Sequence, residues 1–480
     1  MAVEFADIPL YRGWGAPLRL ESDARDLPLV QGEVPRDLAG TLYRCGPDRQ
    51  YPPLFRDDIF IDGEGMVHMF RFDDGHVDYR SRWVRNERFI LQEQARRSLF
   101  GRYRNRYTND PSVTGKSMGT ANTNVVWHGG KMLVLKEDSL PIEIDPDTLE
   151  TREPWSFAGQ VKAVSLTAHP KLDLHRNELL MFSYQARGDA TRDFAFYIAD
   201  ASGRIVHERW FEMPYPGMVH DFAVSEQHVI VPFFPLITDL AVLKRGGPFY
   251  EWHPDQASHF AVLPRRGSEP VRWFRGPAVS AGHMMNAFDE GSKLHLDVCL
   301  YQGNCFEFFP SHDGSPFKPS PPQLTRLTFD LASPREGYES RLLTPVPCEM
   351  PKCDDRYVGM PYRFGYTICR PPAAKSGEMG LGAIGCIDHA SGELSTWTAG
   401  EQSGVHEPNF VVRAGAPEGA GWLLVIVNRF AHNHSDLAIL DARCVQDGPV
   451  ALLRLPVRVR STFHGMWVPQ SALASGRYAV

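Results

Sequence analysis

The sequence predicts an all-β protein, and three observations carry that reading. Runs rich in β-branched and aromatic residues recur from end to end, each run closes in a tight-turn signal, and a helical period surfaces in only one place. The first hairpin is MVHMFRF-DDG-HVDYRSRWV at 66–84, two alternating runs around Asp-Asp-Gly, and NVVWH-GG-KMLVLKE at 124–137 repeats the plan with Gly-Gly. The same pattern of strand, turn and strand is expected at 194–211, 221–234, 283–300, 383–398 and 422–444. Only 86–100 (NERFILQEQARRSLF) carries helical spacing, and the Pro-rich stretches 309–322 and 371–380 read as rim loops.

Hairpin units recurring through 480 residues favour a β-propeller over a sandwich, because a sandwich is used up in far fewer residues. No strict sequence repeat accompanies them, so spacing alone carries the propeller reading. One domain over residues 1–480 is expected. A formal charge of −7 and a pI near 6.2 give no basic excess, which excludes a general affinity for nucleic acid. The most apolar long segment, 228–243 (HVIVPFFPLITDLAVL), is interrupted by Pro232, Pro235 and Asp239 and is too short to span a bilayer. It reads as an internal or rim segment, with no integral membrane association. The start, MAVEFADIPLYRGW, shows no secretory signal, and the eight cysteines contain no CxxC pair. Reduced thiols, a cytoplasmic location and a monomer or homodimer follow as expectations.

The question the sequence poses most sharply lies at 131–139, KMLVLKEDS, where an apolar run ends in Lys136-Glu137. A strand reaching solvent would explain such a pair. The eighteen histidines bear on the alternative. His76, His128, His253 and His312 sit in polar turns and are expected in solvent. His169 (LTAHPKLD), His220 (MVHDFAV), His283 (AGHMMNAF) and His464 (STFHGMWVP) stand instead at the borders of apolar segments. Taken singly, each is most simply a hydrogen-bonded core residue. Together their intervals of 51, 63 and 181 residues match one blade, one blade and about three, since a plain blade takes roughly 40–45 residues. Four side chains from different blades converge near a propeller's axis.

Four neutral imidazoles with no carboxylate among them suit a borderline transition metal, not calcium, magnesium or a thiolate zinc site. Iron(II) in octahedral geometry would keep two positions open for O2 and substrate. Ligating histidines normally donate their second ring N–H to an acid or carbonyl. Glu137 (LKEDS) follows directly on an apolar run, Glu349 (PCEMP) and Glu407 (HEPNF) stand beside apolar residues or proline, and all three fit that need.

These residues also carry a resemblance. RCGPD (44–48), DGEGMVHMFRFDDG (62–75), AHPKLD (168–173), HDF (220–222), EPNFV (407–411) and FHG (463–465), in this order, resemble the carotenoid cleavage oxygenase family over nearly the whole length. SLFGRYRNRYTND (98–110), GTANTNVVWHGGK (119–131), LKEDSLPIEIDPDTLETR (135–152) and RYVGMPYRFGY (356–366) look most similar to its bacterial phenol-cleaving branch of lignostilbene dioxygenases and isoeugenol monooxygenases. The resemblance implies a seven-bladed β-propeller whose loops and short helices cap an Fe(II) site. It assigns the iron to His169, His220, His283 and His464, and the orienting acids to Glu137, Glu349 and Glu407. Tyr103 and Lys136 match the pair that binds a substrate 4-hydroxyl, and Phe60 matches an aromatic ring that packs on the substrate.

The implied reaction is O2-dependent cleavage of the alkenyl C=C bond of a 4-hydroxyphenyl alkene, giving aromatic aldehydes such as vanillin. A lysine beside the phenol favours phenolate, whose electron density makes the alkene nucleophilic, and a dioxetane or epoxide-like intermediate would precede scission. The alkene can be a lignostilbene-type stilbene or a phenylpropene such as isoeugenol or 4-vinylguaiacol, and mono- or dioxygenase stoichiometry stays open. Carotenoid or apocarotenoid cleavage is the alternative, although a carotenoid has no use for Lys136. A non-catalytic binding propeller would tolerate loss of a histidine, and none is missing. Two departures from the family pattern stand out: small Ala281-Gly282 before His283, which predicts an open pocket wall, and EPNFVVR without the usual second proline.

Overall fold

The hairpins expected from turn chemistry all form in a computed structural model, which describes residues 4–372 and 381–479. Glu64–Asp73 pairs with His76–Trp83, and Asn124–His128 pairs with Lys131–Leu135. Gly129 and Gly130 both hold positive φ, 57° and 74°, the backbone of a type I′ turn that a side chain would strain. Of the two expected loops, 309–322 forms no strand, and 371–380 lies almost wholly outside the described residues. The segment 228–243 becomes the buried strand His228–Phe233, the short Leu236–Ile237 and a helix at Leu240–Lys244.

Among the described residues, seven antiparallel meanders make up the body of the molecule, with a separate two-stranded sheet of Leu236–Ile237 and Glu251–Trp252 beside them. The largest sheet has seven strands but divides at Glu339–Cys353, whose first half pairs with Gln323–Asp330 and whose second half pairs with Phe364–Cys369. The two ends of the sequence close the set. Gly465–Pro469 pairs with Gly40–Asp48 in one sheet, while Leu29–Gly32 adds the outer edge of the preceding sheet beside Pro449–Arg454.

Both faces of each sheet are apolar, and alternate residues serve alternate neighbours. In Lys131–Leu135, Leu133 and Leu135 pack against Leu179 and Met181 of the next sheet, while Met132 and Val134 pack against Tyr43 and Met69 of the previous one. The same division repeats at every junction, through to Leu424 and Ile426 against Phe70 and Phe72. Seven hydrophobic layers thus join seven sheets into a closed ring, the arrangement of a seven-bladed propeller. Closure leaves only short outer edges exposed, which limits edge-to-edge association.

The expected helix spans Glu87–Ala95, with the Asn86 side chain accepting from the Phe89 N–H as its cap. Its inward face carries Arg88, whose guanidinium lies 2.9 Å from Asp62 Oδ2 and 3.2 Å from Glu64 Oε1. These pairs hold the turn Phe60–Asp62 in place. Helices at Leu240–Lys244 and Gln470–Ser475 were not expected, being too short to show a helical period. Arg88 is 1% exposed, so Arg88→Met leaves buried Glu64 without its ion-pair partner and Asp62 with only Arg49, 3.7 Å away, and should cost about 3–5 kcal/mol. Urea unfolding of the variant checks this, and an unchanged midpoint would contradict it.

Candidate metal centre

Each of the seven sheets contributes one residue to the centre. His169 precedes Lys171–Asp173, His220 precedes Ala223–Val224, His283 lies within Ser280–Glu290, and His464 precedes Gly465–Pro469. The remaining three sheets supply the acids: Glu137 follows Lys131–Leu135, Glu349 lies within Glu339–Cys353, and Glu407 precedes Asn409–Val412. The long interval from His283 to His464 advances three sheets around the ring, with the Glu349 and Glu407 sheets between them, as the spacing predicts.

The four imidazoles meet. One ring nitrogen from each lies within 4.8 Å of the others, and His169 Nε2 is 3.2 Å from His220 Nε2. The opposite nitrogens are held: His220 Nδ1 is 2.9 Å from Glu137, His283 Nδ1 is 2.7 Å from Glu349, and His464 Nδ1 is 2.8 Å from Glu407. A carboxylate accepts, so each Nδ1 carries the proton and each Nε2 keeps a lone pair facing the common point. Backbone bonds fix the rest, with the His464 N–H donating to Thr123 O and the Asn124 side chain donating to Ala168 O. Two features test the fit to a metal. His283 Nε2 is buried with no hydrogen-bond partner among the described residues, and an all-imidazole donor set matches a borderline transition ion. A cavity of about 140 Å³, whose lining includes His169, His283, His464, Lys171 and Lys352, adjoins the rings.

Protonation is tuned towards ligation. Burial, and then the three neighbouring imidazoles, push His169 well below the ordinary histidine range, and burial takes His464 down to about 3 against the pull of Glu407. His283 is the exception: burial favours its neutral ring, but Glu349 outweighs burial and raises its pKa above the ordinary histidine range. Burial would raise the Glu137 carboxyl, but His220, Lys136 and Arg104 outweigh it and hold it at about 2. Glu407 is likewise depressed, because Lys352, His464 and Arg44 outweigh its burial.

Lys136 and Glu137 are 4% and 3% exposed, so the strand of 131–135 does not end in solvent. Lys136 Nζ lies 5.3 Å from the centroid of the Tyr103 ring. The Tyr103 hydroxyl is buried with no partner among the described residues, while its backbone N–H is anchored on Asp58 Oδ1 at 3.1 Å. Phe60 is 36% exposed, more than plain core packing leaves, and lies 6.1 Å from Phe308 and 6.0 Å from Phe463.

Comparison with known proteins decides the kinship. The family described as retinal pigment epithelial membrane protein matches residues 15–469. The isoeugenol monooxygenase of Pseudomonas nitroreducens is 42% identical over 95% of this chain and 96% of its own. Lignostilbene-α,β-dioxygenase isozyme III of Sphingomonas paucimobilis is 40% identical, covering 98% of this chain and 99% of its own. The crystal structure of Pseudomonas brassicacearum lignostilbene dioxygenase superposes with a TM-score of 0.94 at 41% identity, over 98% of this chain and 100% of that one. The chain belongs to the carotenoid cleavage oxygenase family.

In this oxygenase several residues near the site escaped sequence reasoning. Arg44 donates to Glu407 Oε2 at 2.5 Å and to Asn409 at 2.8 Å, while Lys352 Nζ lies 3.2 Å from Glu407 Oε1. The Tyr301 hydroxyl donates to Glu349 at 3.3 Å, and Arg104 stands 3.9 Å from Glu137. Phe306, 6.0 Å from the His220 ring, begins an aromatic wall with Phe308 and Phe309. Its signal was the dense run NCFEFF at 304–309. Two expectations are corrected. His128 is buried, its Nε2 3.3 Å from Asn177 O, because the Gly129-Gly130 turn folds it against the neighbouring sheet. Gly282 does not open the pocket wall, since a Cβ there would meet Glu349 Oε1 at 2.4 Å. Glycine is needed so that the acid can reach His283, at a bulge where Ala281 and Met284 pair in shifted register.

Removing Glu349 should weaken metal retention roughly 10–100-fold. Gly282→Ala should reproduce much of that loss with the glutamate still present. Metal content after dialysis against a chelator measures both, and full retention in Gly282→Ala would contradict the close approach. The depressed Glu137 carboxyl sets a pH dependence. Its folded pKa of about 2 lies below the ordinary value of about 4.3, so its stabilising contribution is present above the latter and lost as pH falls towards the former. Metal-free Glu137→Gln should therefore lose stability less steeply than the parent below about pH 4.3, and equal slopes in acid unfolding would sink this assignment.

Proposed function

We propose that this alkene-cleaving oxygenase is a non-haem iron(II) enzyme acting on 4-hydroxyphenyl alkenes, with His169, His220, His283 and His464 holding the metal. The observation that carries the reading is the Tyr103 hydroxyl, buried without a partner beside Lys136. An unsatisfied buried hydroxyl costs about 1–3 kcal/mol, and a substrate phenol placed between Tyr103 and Lys136 relieves it. The matched relatives named for isoeugenol and for lignostilbene, both phenolic alkenes, support the same class. A carotenoid offers nothing to either group.

Iron(II), when bound, supplies the activation of O2. The protein's own residues do the rest. Tyr103 donates to the phenol oxygen, and the Lys136 ammonium favours its ionised form by charge. Density released into the ring reaches the conjugated double bond and makes its carbons nucleophilic. Phe60, Phe306, Phe308 and Phe463 hold the flat substrate and exclude water from the reacting bond. Scission with O2 converts the C=C bond into carbonyl products, an aromatic aldehyde such as vanillin among them. The propeller acts as one domain, and all eight cysteines are free thiols, which supports a cytoplasmic setting. Among the described residues, no helix is long and apolar enough to cross a membrane.

A site built around a substrate hydroxyl rejects analogues lacking it by factors of about 10⁴–10⁵ in kcat/KM. Isoeugenol, 4-vinylguaiacol or a 4-hydroxystilbene should be cleaved to aldehyde and its 4-O-methyl ether should not. Lys136→Met should lose activity while retaining its metal. Efficient cleavage of the ethers, or of an apocarotenal alone, would overturn the phenolic reading.

A further inference from the structure

A second group of metal-type donors lies away from the four histidines. Glu251, His253 and His312 each offer one atom within 4.8 Å of the others, and His312 Nδ1 is 3.6 Å from Glu251 Oε2. The His253 and His312 rings stack with centroids 4.3 Å apart at 16°. Backbone pairing puts them there. Glu251–Trp252 pairs with Leu236–Ile237, and Trp252 forms a parallel bridge with Ser311. The Trp252 N–H donates to Pro310 O and the His312 N–H donates to Trp252 O, each at 2.8 Å, while the His253 N–H donates to Pro235 O. Glu251 and His253 therefore share one side of a short strand, with His312 set beside them.

The position matters because His312 closes the segment that forms the aromatic wall. Asn304 Nδ2 donates to Phe309 O at 2.8 Å, and the Phe309 N–H donates to Phe306 O, so 304–309 is a compact turn. Its rings reach Phe60, Tyr103 and His220. Whatever holds His312 to the strand behind it also holds that wall.

Two imidazoles and a carboxylate are a donor set for a borderline divalent cation. Zinc bonds of about 2.0–2.1 Å in a tetrahedron place donors about 3.4 Å apart, close to the separation between Glu251 and His312. The stacked rings share no in-plane point, so one must turn, and the 59% exposed His312 side chain has the room. We propose that Glu251, His253 and His312 bind one divalent cation of the zinc type, which clips the 304–312 segment and, on the phenolic reading proposed above, fixes the aromatic wall of the substrate site.

Zinc titrated calorimetrically into the iron-loaded protein tests this, with iron measured on the same samples. The parent should take up about one equivalent of zinc with its iron retained. Loss of one ligand should weaken zinc binding at least about 10–100-fold in His312→Ala and in His253→Ala. Amide exchange across 304–309 should slow on adding zinc to the parent and stay unchanged in His312→Ala. Equal zinc affinity in parent and variants, or zinc uptake only in exchange for iron, would overturn the site. Zinc uptake without slower exchange at 304–309 would overturn the clip.

Discussion

An imidazole has two nitrogens and, when neutral, one proton, and which nitrogen holds it decides whether the ring can serve as a ligand. At His220, His283 and His464 the carboxylates of Glu137, Glu349 and Glu407 settle the matter by accepting from Nδ1. The Nε2 lone pairs of these three rings are then left facing one another in a buried space, where a single cation would satisfy them together. The carboxylates need support in turn, since a buried anion is costly alone. Arg44 and Lys352 hold Glu407, Lys136 and Arg104 face Glu137, and the Tyr301 hydroxyl reaches Glu349. On the proposed reading, metal site and substrate site are joined at this level, because Lys136 and Glu137 are consecutive residues given two tasks.

The ring of sheets makes this convergence possible. Each sheet offers one inner position to the axis, and the seven positions divide between four imidazoles and three acids. No local segment could build such a site, because the ligands are separated by whole sheets in sequence. Pairing of Gly465–Pro469 with Gly40–Asp48 closes the circle and brings His464 up to the others. The proposed substrate side is built differently, from loops pinned by buried ion pairs such as Arg88 with Asp62 and Glu64.

Strand content and hairpins were legible because Asp-Gly and Gly-Gly turns encode their own backbone and the flanking runs alternate. The histidines were legible because apolar borders and blade-sized intervals are visible in one dimension. Phe306, Phe308 and Phe309 were missed because a compact loop has no period, and its meaning lies in what it packs against. Gly282 was misread for a related reason: a small residue looks like empty space until the group that occupies that space, here Glu349, is located. Arg44 stood within the quoted RCGPD, yet its reach to Glu407, hundreds of residues away, is a fact of closure alone.

The central claim is a four-imidazole iron site with no carboxylate bound to the metal. X-ray absorption spectroscopy on anaerobically purified protein, with metal analysis of the same sample, tests it most directly. The account predicts one iron(II) per protein molecule surrounded by light N/O donors with scattering from four imidazoles. Stoichiometric zinc in place of iron, or iron bound by fewer imidazoles with carboxylate oxygens among its ligands, would contradict it.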